Sequence, residues 1–110
     1  MSKIVVVASL TAAEGKGDEL AEIFCECIEG SHGEEGCLTY ALHRDKANPD
    51  HLVMIEHWRS QADLDSHGGQ PHYLGLLQKM AAPGLFAADP PPALWFMESL
   101  EIGDPSKSQL

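Results

Sequence analysis

The chain is 110 residues long, a length for one domain with one core that buries about two-thirds of its unfolded surface. Hydrophobic residues make up 44% and charged residues 22%, the balance of a globular domain, and no apolar run approaches the roughly 20 residues needed to cross a bilayer. Seven Lys plus Arg against 17 Asp plus Glu leave a net charge of −10, so the chain offers no basic face to nucleic acid or anionic lipid.

Residues 4–10, Ile-Val-Val-Val-Ala-Ser-Leu, are almost wholly apolar and predict a first strand buried on both faces. The preceding Met-Ser-Lys brings no small-residue cleavage site, and the run leads straight into a helix signal. It therefore does not read as a secretory leader, and the cytoplasm is the expected location. Residues 11–17 form a turn, and Asp18 is the expected helix N-cap. From there Leu20, Ile23, Phe24, Cys27 and Ile28 recur at the spacing of one helix face. Glu19, Glu22, Glu26 and Glu29 occupy the opposite face, which reads as solvated rather than as a cation site. Gly30 is expected to end this helix, with residues 31–36 as a loop.

The three cysteines, Cys25, Cys27 and Cys37, are odd in number and lack a secretory signal, which implies reduced thiols. Cys25 and Cys27 are two apart on a helix and point in different directions, so they read as small apolar residues in or near a core.

Residues 37–43 predict a strand with Leu38, Tyr40 and Leu42 on one face and Cys37, Thr39, Ala41 and His43 on the other. Asn48-Pro49-Asp50 marks residues 44–50 as a hairpin loop. Residues 51–59 form the next strand, with Leu52, Met54, Glu56 and Trp58 on one face and Val53, Ile55, His57 and Arg59 on the other. Ser60 starts a helix, with Asp63 completing a capping-box-like pair, and Gly68-Gly69 stops it. Pro71 suits the first turn of another helix, whose apolar face is Tyr73, Leu76, Leu77 and Met80 and whose end is Ala82-Pro83-Gly84. Residues 85–92 are a proline-rich loop and residues 93–102 a last strand. Residues 1–102 thus form the single domain, and residues 103–110 a flexible polar tail, frayed or draped on a neighbour.

The resulting order, β-α-β-β-α-α-β, predicts an α+β ferredoxin-like split βαβ with an antiparallel sheet. Helices cover one face of that sheet. The other face keeps its apolar residues, and a second copy in a two-fold homodimer is the simplest cover.

The run Glu35-Gly36-Cys37-Leu38-Thr39-Tyr40-Ala41-Leu42-His43-Arg44-Asp45 continues through Asn48-Pro49-Asp50, Glu56-x-Trp58, Leu64-Asp65-x-His67 and Pro71-His72-Tyr73. In this order and spacing it resembles the antibiotic biosynthesis monooxygenase family, and within it small quinol-monooxygenase-like members, from the first strand to Glu101. The resemblance implies a dimeric α/β-barrel with a pocket between helices and sheet in each subunit. It also implies oxygenation of phenols, hydroquinones or anthrone-like polyketides by molecular oxygen, with no metal, flavin or haem. Some relatives degrade haem instead, using a first-strand Asn, a Trp and an iron-ligating His. Those positions fall here at Ala8, His67 and Leu77, and Leu77 cannot ligate iron. Others isomerise a phosphorylated sugar, for which Arg44 and Arg59 are the available basic groups.

Cofactor-free oxygenation needs a base for the aromatic hydroxyl, polar groups to hold the anion, and an apolar cavity for a flat ring. His67 and His72, bracketing Gly68-Gly69, are the expected base and hydrogen-bond donor. Their spacing is not the i, i+4 pair of a helical metal site. Glu56, a carboxylate on an apolar strand face, needs a partner: it orients a histidine as a catalytic residue, or bonds a helix terminus or an arginine. Trp58 is expected to stack a ring substrate, with Tyr73, Tyr40, Met54 and Leu77 as further pocket residues. His32, His51 and His57 read as loop or surface residues. The expected activity is a cofactor-independent monooxygenase acting on a small quinol or phenolic compound. The alternative is a non-oxidative isomerase or binding protein of the same fold.

Overall fold

A computed structural model describes residues 3–109. The elements run β1 (Ile4–Thr11), α1 (Gly17–Ile23), α2 (Cys25–His32), β2 (Cys37–Arg44), β3 (His51–Trp58), α3 (Gln61–His67), α4 (Pro71–Met80) and β4 (Ala93–Glu98). The four strands form one antiparallel sheet in the order β2-β3-β1-β4, which is the ferredoxin-like α+β arrangement. Alternation on β1 sends Val6, Ala8 and Leu10 to the helix side, where they meet Leu52, Met54 and Trp58 of β3 and Leu20, Phe24 and Cys27 of α1 and α2. The glutamate row Glu19, Glu22, Glu26 and Glu29 is exposed, as its pattern predicts.

The register puts Val7 opposite both Ile55 and Trp95, and Val5 opposite both His57 and Met97. These residues make the open face of the sheet, on which Val5 and Val7 are half-buried, so β1 is covered on one face only within the chain. His57 departs from its surface expectation: it lies on this face yet is 1% exposed. No helix among the described residues is long and apolar enough to cross a membrane.

Several boundaries differ from the sequence expectation for identifiable reasons. The first helix starts at Gly17, not after Asp18, because the Asp50 carboxylate accepts from the backbone N–H groups of Gly15 and Gly17. Asp18 is left exposed to pair with Arg44 at 2.9 Å. The helix divides at Phe24, whose N–H bonds three residues back to Ala21 in a tightened turn. It then passes through Gly30 to His32. A β-bulge between Cys37 and Thr39 breaks the alternation of β2, packing Cys37 against the core and leaving Leu38 46% exposed. β4 ends at Glu98, opposite Ile4 at the start of β1; the Ser99 N–H still bonds the Lys3 carbonyl at 3.0 Å, but the strand does not run on to residue 102. Beyond it, Lys3 pairs with Glu101 at 3.3 Å and donates to Gln109, and residues 104–108 form a turn closed by Asp104.

Candidate active site

The site sits where α3, α4 and the loop of residues 33–36 meet the helix side of the sheet. Ser60 caps α3 as its sequence predicts, accepting from the Asp63 N–H and donating to the Asp63 carboxylate. α3 ends at His67 against Gly68, and Pro71 opens α4 one residue before His72. The two imidazoles therefore come from consecutive helix ends and converge, with ring centroids 5.9 Å apart.

They converge on Glu34, in the loop between α2 and β2. A single carboxylate oxygen of Glu34, Oε2, accepts from His67 Nδ1 at 2.7 Å and from His72 Nε2 at 2.8 Å. The side chains are little exposed: 3% for His67, 17% for His72 and 13% for Glu34. Two glycines make this approach possible. A Cβ on Gly30 would sit 2.3 Å from the His72 ring, and one on Gly36 would sit 2.2 Å from the Asp63 side chain. One glycine lets α4 close on α2, and the other lets the Glu34 loop close on α3.

An ionised carboxylate only accepts, so both facing nitrogens carry protons. For neutral His67 this assigns the proton to Nδ1 and leaves the lone pair on Nε2. Nε2 is buried and has no hydrogen-bond partner among the described residues. The carboxylate that bonds the histidines is thus Glu34, not Glu56.

Glu56 is 8% exposed, and its Oε1 accepts from Trp58 Nε1–H at 2.9 Å. Burial pushes its carboxyl up to about 7, opposed by the Trp58 hydrogen bond and reinforced by the Glu34 charge. Trp58 is fully buried, its ring 4.5 Å from that of His67. Tyr40 packs 5.4 Å and Tyr73 4.9 Å from the same imidazole, centroid to centroid. The Tyr40 hydroxyl lies 3.3 Å from the Cys27 sulfur. Burial raises the titration of both tyrosines, so neither supplies a base near neutrality.

A cavity of about 530 Å³ opens beside these groups, within the roughly 300–1,000 Å³ typical of small-molecule sites. Tyr40, Met54, Glu56, His67, Tyr73 and Leu77 all line it. Trp58 and His72 do not: Trp58 backs Glu56 and His67 from the core, and His72 reaches Glu34 from outside the cavity wall. The expected stacking of a substrate on Trp58 is therefore not available in this geometry. Glu34 itself was legible only through Gly30, Gly33 and Gly36, a glycine at every third position around it, which marks a segment other elements approach closely.

Two of the other histidines, His32 and His51, have structural partners. His32 Nε2 bonds the Tyr40 carbonyl at 2.9 Å, tying the end of α2 to β2. His51 bonds Ser9 Oγ at 2.7 Å and Asp45 at 2.9 Å. That order of groups matches a hydrolase triad, but Ser9 pairs in register with both Val53 and Ala93. Strand pairing on both edges leaves no N–H pair there for an oxyanion, and the chain of bonds serves to pin the β2–β3 hairpin to the sheet.

Sheet order, helix placement and the half-open cavity together define a ferredoxin-like α+β domain with a pocket of small-molecule size. A family model for antibiotic biosynthesis monooxygenase matches residues 3–79, and the chain belongs to that family. The uncharacterized protein sll1783 of Synechocystis sp. is 30% identical over 84 residues, 76% of this chain and 56% of that protein, so the chain spans little more than half the length of that relative. Rv0793 of Mycobacterium tuberculosis, provisionally named a monooxygenase, is 33% identical over 73 residues, 66% of this chain and 71% of its own. The Rv0793 structure superposes with a TM-score of 0.74 at 27% identity, covering 87% of this chain and 93% of that one. PA3566 of Pseudomonas aeruginosa gives a TM-score of 0.77 at 27% identity, covering 91% of this chain and 96% of its own.

Proposed function

We propose that the protein is a cofactor-independent monooxygenase that oxygenates a small quinol or phenolic compound with molecular oxygen. The observation that carries this reading is His67: Glu34 holds its Nδ1 proton while Nε2 remains buried and unpartnered on a residue that lines an apolar cavity. In this role Nε2 takes the proton of an aromatic hydroxyl, and the Glu34 carboxylate stabilises the imidazolium that forms. The substrate anion then passes an electron to oxygen, and the radical pair collapses to a C–O bond. Loss of water leaves one oxygen atom in the product, so a hydroquinone plus O₂ gives a hydroxyquinone plus H₂O, with every electron supplied by the substrate. Glu56, whose carboxyl burial pushes up to about 7, lines the same cavity and in this reading donates a hydrogen bond to a substrate oxygen or carries a proton. Among the described residues lining the cavity there is no Lys or Arg, whereas Glu56 and Asp65 are both present. That balance supports an uncharged aromatic substrate over a phosphorylated one.

Oxygen uptake by chelator-treated protein with a panel of hydroquinones and phenols tests this. One labelled atom from ¹⁸O₂ in the product and loss of turnover in His67→Ala are the expected results. A panel that binds without oxygen uptake refutes the oxygenase reading. It leaves the non-oxidative isomerase, favoured by the presence of two proton carriers, His67 and Glu56, on one cavity.

We further propose a homodimer through the open face of the sheet, where Val5, Val7, Val53 and Ile55 are flanked by Trp95 at 50% and Met97 at 42% exposure. A cytoplasmic location accompanies this reading and is supported by three free thiols.

A further inference from the structure

The oxygenase reading uses the Glu34–His67–His72 cluster only through its protons. The carboxylate oxygen and the two facing ring nitrogens all lie within 4.8 Å of one another. From this juxtaposition of donors on three separate segments, we infer that Glu34, His67 and His72 bind one divalent transition-metal ion of the zinc class, in competition with the protons that now link them.

The donor set decides the class of ion. Two imidazoles and one carboxylate suit zinc, cobalt and nickel, whereas calcium and magnesium require oxygen donors throughout. The positions decide the feasibility. The Glu34 loop, the end of α3 and the first turn of α4 are already held together, with the His72 ring seated on Gly30, so the fold has ordered the donors in advance. A tetrahedral ion at about 2.0–2.1 Å from each donor separates them by about 3.3 Å. The contacts of 2.7 Å and 2.8 Å must therefore open by about half an ångström, and the two nitrogens, within 4.8 Å of each other, must settle at that same separation, which side-chain rotation supplies. The net charge of −10 favours cation entry.

Binding also has a defined proton balance. The ion needs the lone pairs of His67 Nδ1 and His72 Nε2, so the proton on each neutral ring moves to its other nitrogen. His67 then carries its proton on Nε2. In terms of the oxygenase reading, on which this one consequence rests, the ion is an inhibitor, because it turns the base into a donor.

Isothermal titration of metal-free protein with Zn²⁺ and Co²⁺ tests the site, alongside long-range ¹H–¹⁵N spectra of the imidazoles. We expect one ion per chain, a tautomer change at His67 from Nδ1–H to Nε2–H, and affinity about 100-fold or more weaker in His72→Ala and Glu34→Gln. His43→Ala, an exposed histidine outside the cluster, should bind as the parent does. No saturable binding, unchanged affinity in His72→Ala, or binding to the parent protein without the His67 tautomer change overturns the inference. The tautomer measurement uses the unsubstituted chain, so misfolding of a variant does not obscure the result. Neither readout needs substrate, so failure of the oxygenase reading and failure of this one are seen separately.

Discussion

Replacing Glu34 with Gln removes the charge between two imidazoles while keeping an oxygen that can accept from both. An ordinary phenol titrates near ~10 and an ordinary imidazole near ~6.5, so the proposed proton transfer is uphill by about 5 kcal/mol in water. The protein lowers this step by holding an anion 2.7 Å from the ring that becomes positive. A hydrogen bond to a charged partner contributes about 1.5–3 kcal/mol and a neutral one about 0.5–1.5 kcal/mol, so Glu34→Gln removes about 1–2 kcal/mol from the transition state. That corresponds to a fall of roughly 5–30-fold in kcat. KM should hardly move, since Glu34 does not line the cavity. Glu34→Ala takes away the acceptor as well, freeing the His67 tautomer, and should cost about 10²-fold or more. Steady-state oxygen uptake gives both parameters, and a thermal melt confirms folding. Parental kcat in Glu34→Gln, or a loss confined to KM, would refute the orienting role.

Three further outcomes follow from the same geometry. The Glu56 carboxyl, pushed up to about 7 in the fold against an ordinary 4.5, binds its proton more tightly folded than unfolded. Its contribution is complete below the lower value and lost as pH rises through the upper one, about 3 kcal/mol in all. Glu56→Gln, which keeps an acceptor for Trp58, should therefore be more stable than the parent at pH ~8 by about 2–3 kcal/mol and similar at pH ~5; denaturant titrations in which the two curves differ equally at both pH values would contradict this. Gly30→Ala gains about 1 kcal/mol of helix propensity but drives a Cβ into the His72 ring, so a net loss of about 1–2 kcal/mol and a broken His72–Glu34 bond are expected. Urea titration and imidazole ¹⁵N shifts read the two effects. Trp95→Glu places a charge on the open sheet face and should convert the proposed dimer to monomer in sedimentation equilibrium while leaving the helix side intact.

Much of the frame could be read from the chain alone, because it depends on residues within a few positions of each other. An apolar run located β1 and period-two faces described β2 and β3, the glutamate row marked the wet face of α1 and α2, and Ser60, Gly68 and Pro71 punctuated α3 and α4. Those local signals were enough to place His67 and His72 at neighbouring helix ends and to put Met54, Glu56 and Trp58 on one face of their strand, but not to say which face the helices cover. Their failures were local conflicts settled from elsewhere. Asp18 had the chemistry of an N-cap, but Asp50 of the β2–β3 hairpin bonds the N–H groups of Gly15 and Gly17, and the helix starts before Asp18. Leu38 had the alternation of an inward residue, and the bulge turned it out.

What only the tertiary structure decided is the partner of the histidines. Glu34 stands 33 residues from His67 and 38 from His72, and no periodicity connects positions so far apart. Glu56 looked the natural orienting acid because it shares a face with apolar residues. Trp58, two residues on and on the same face of β3, takes it instead, and a glycine-lined turn brought Glu34 to the imidazoles. Periodicity specifies which face a side chain takes, whereas the pairing of charges inside a fold follows from how closely whole elements can approach. Here that closeness is set by the missing Cβ atoms of Gly30 and Gly36.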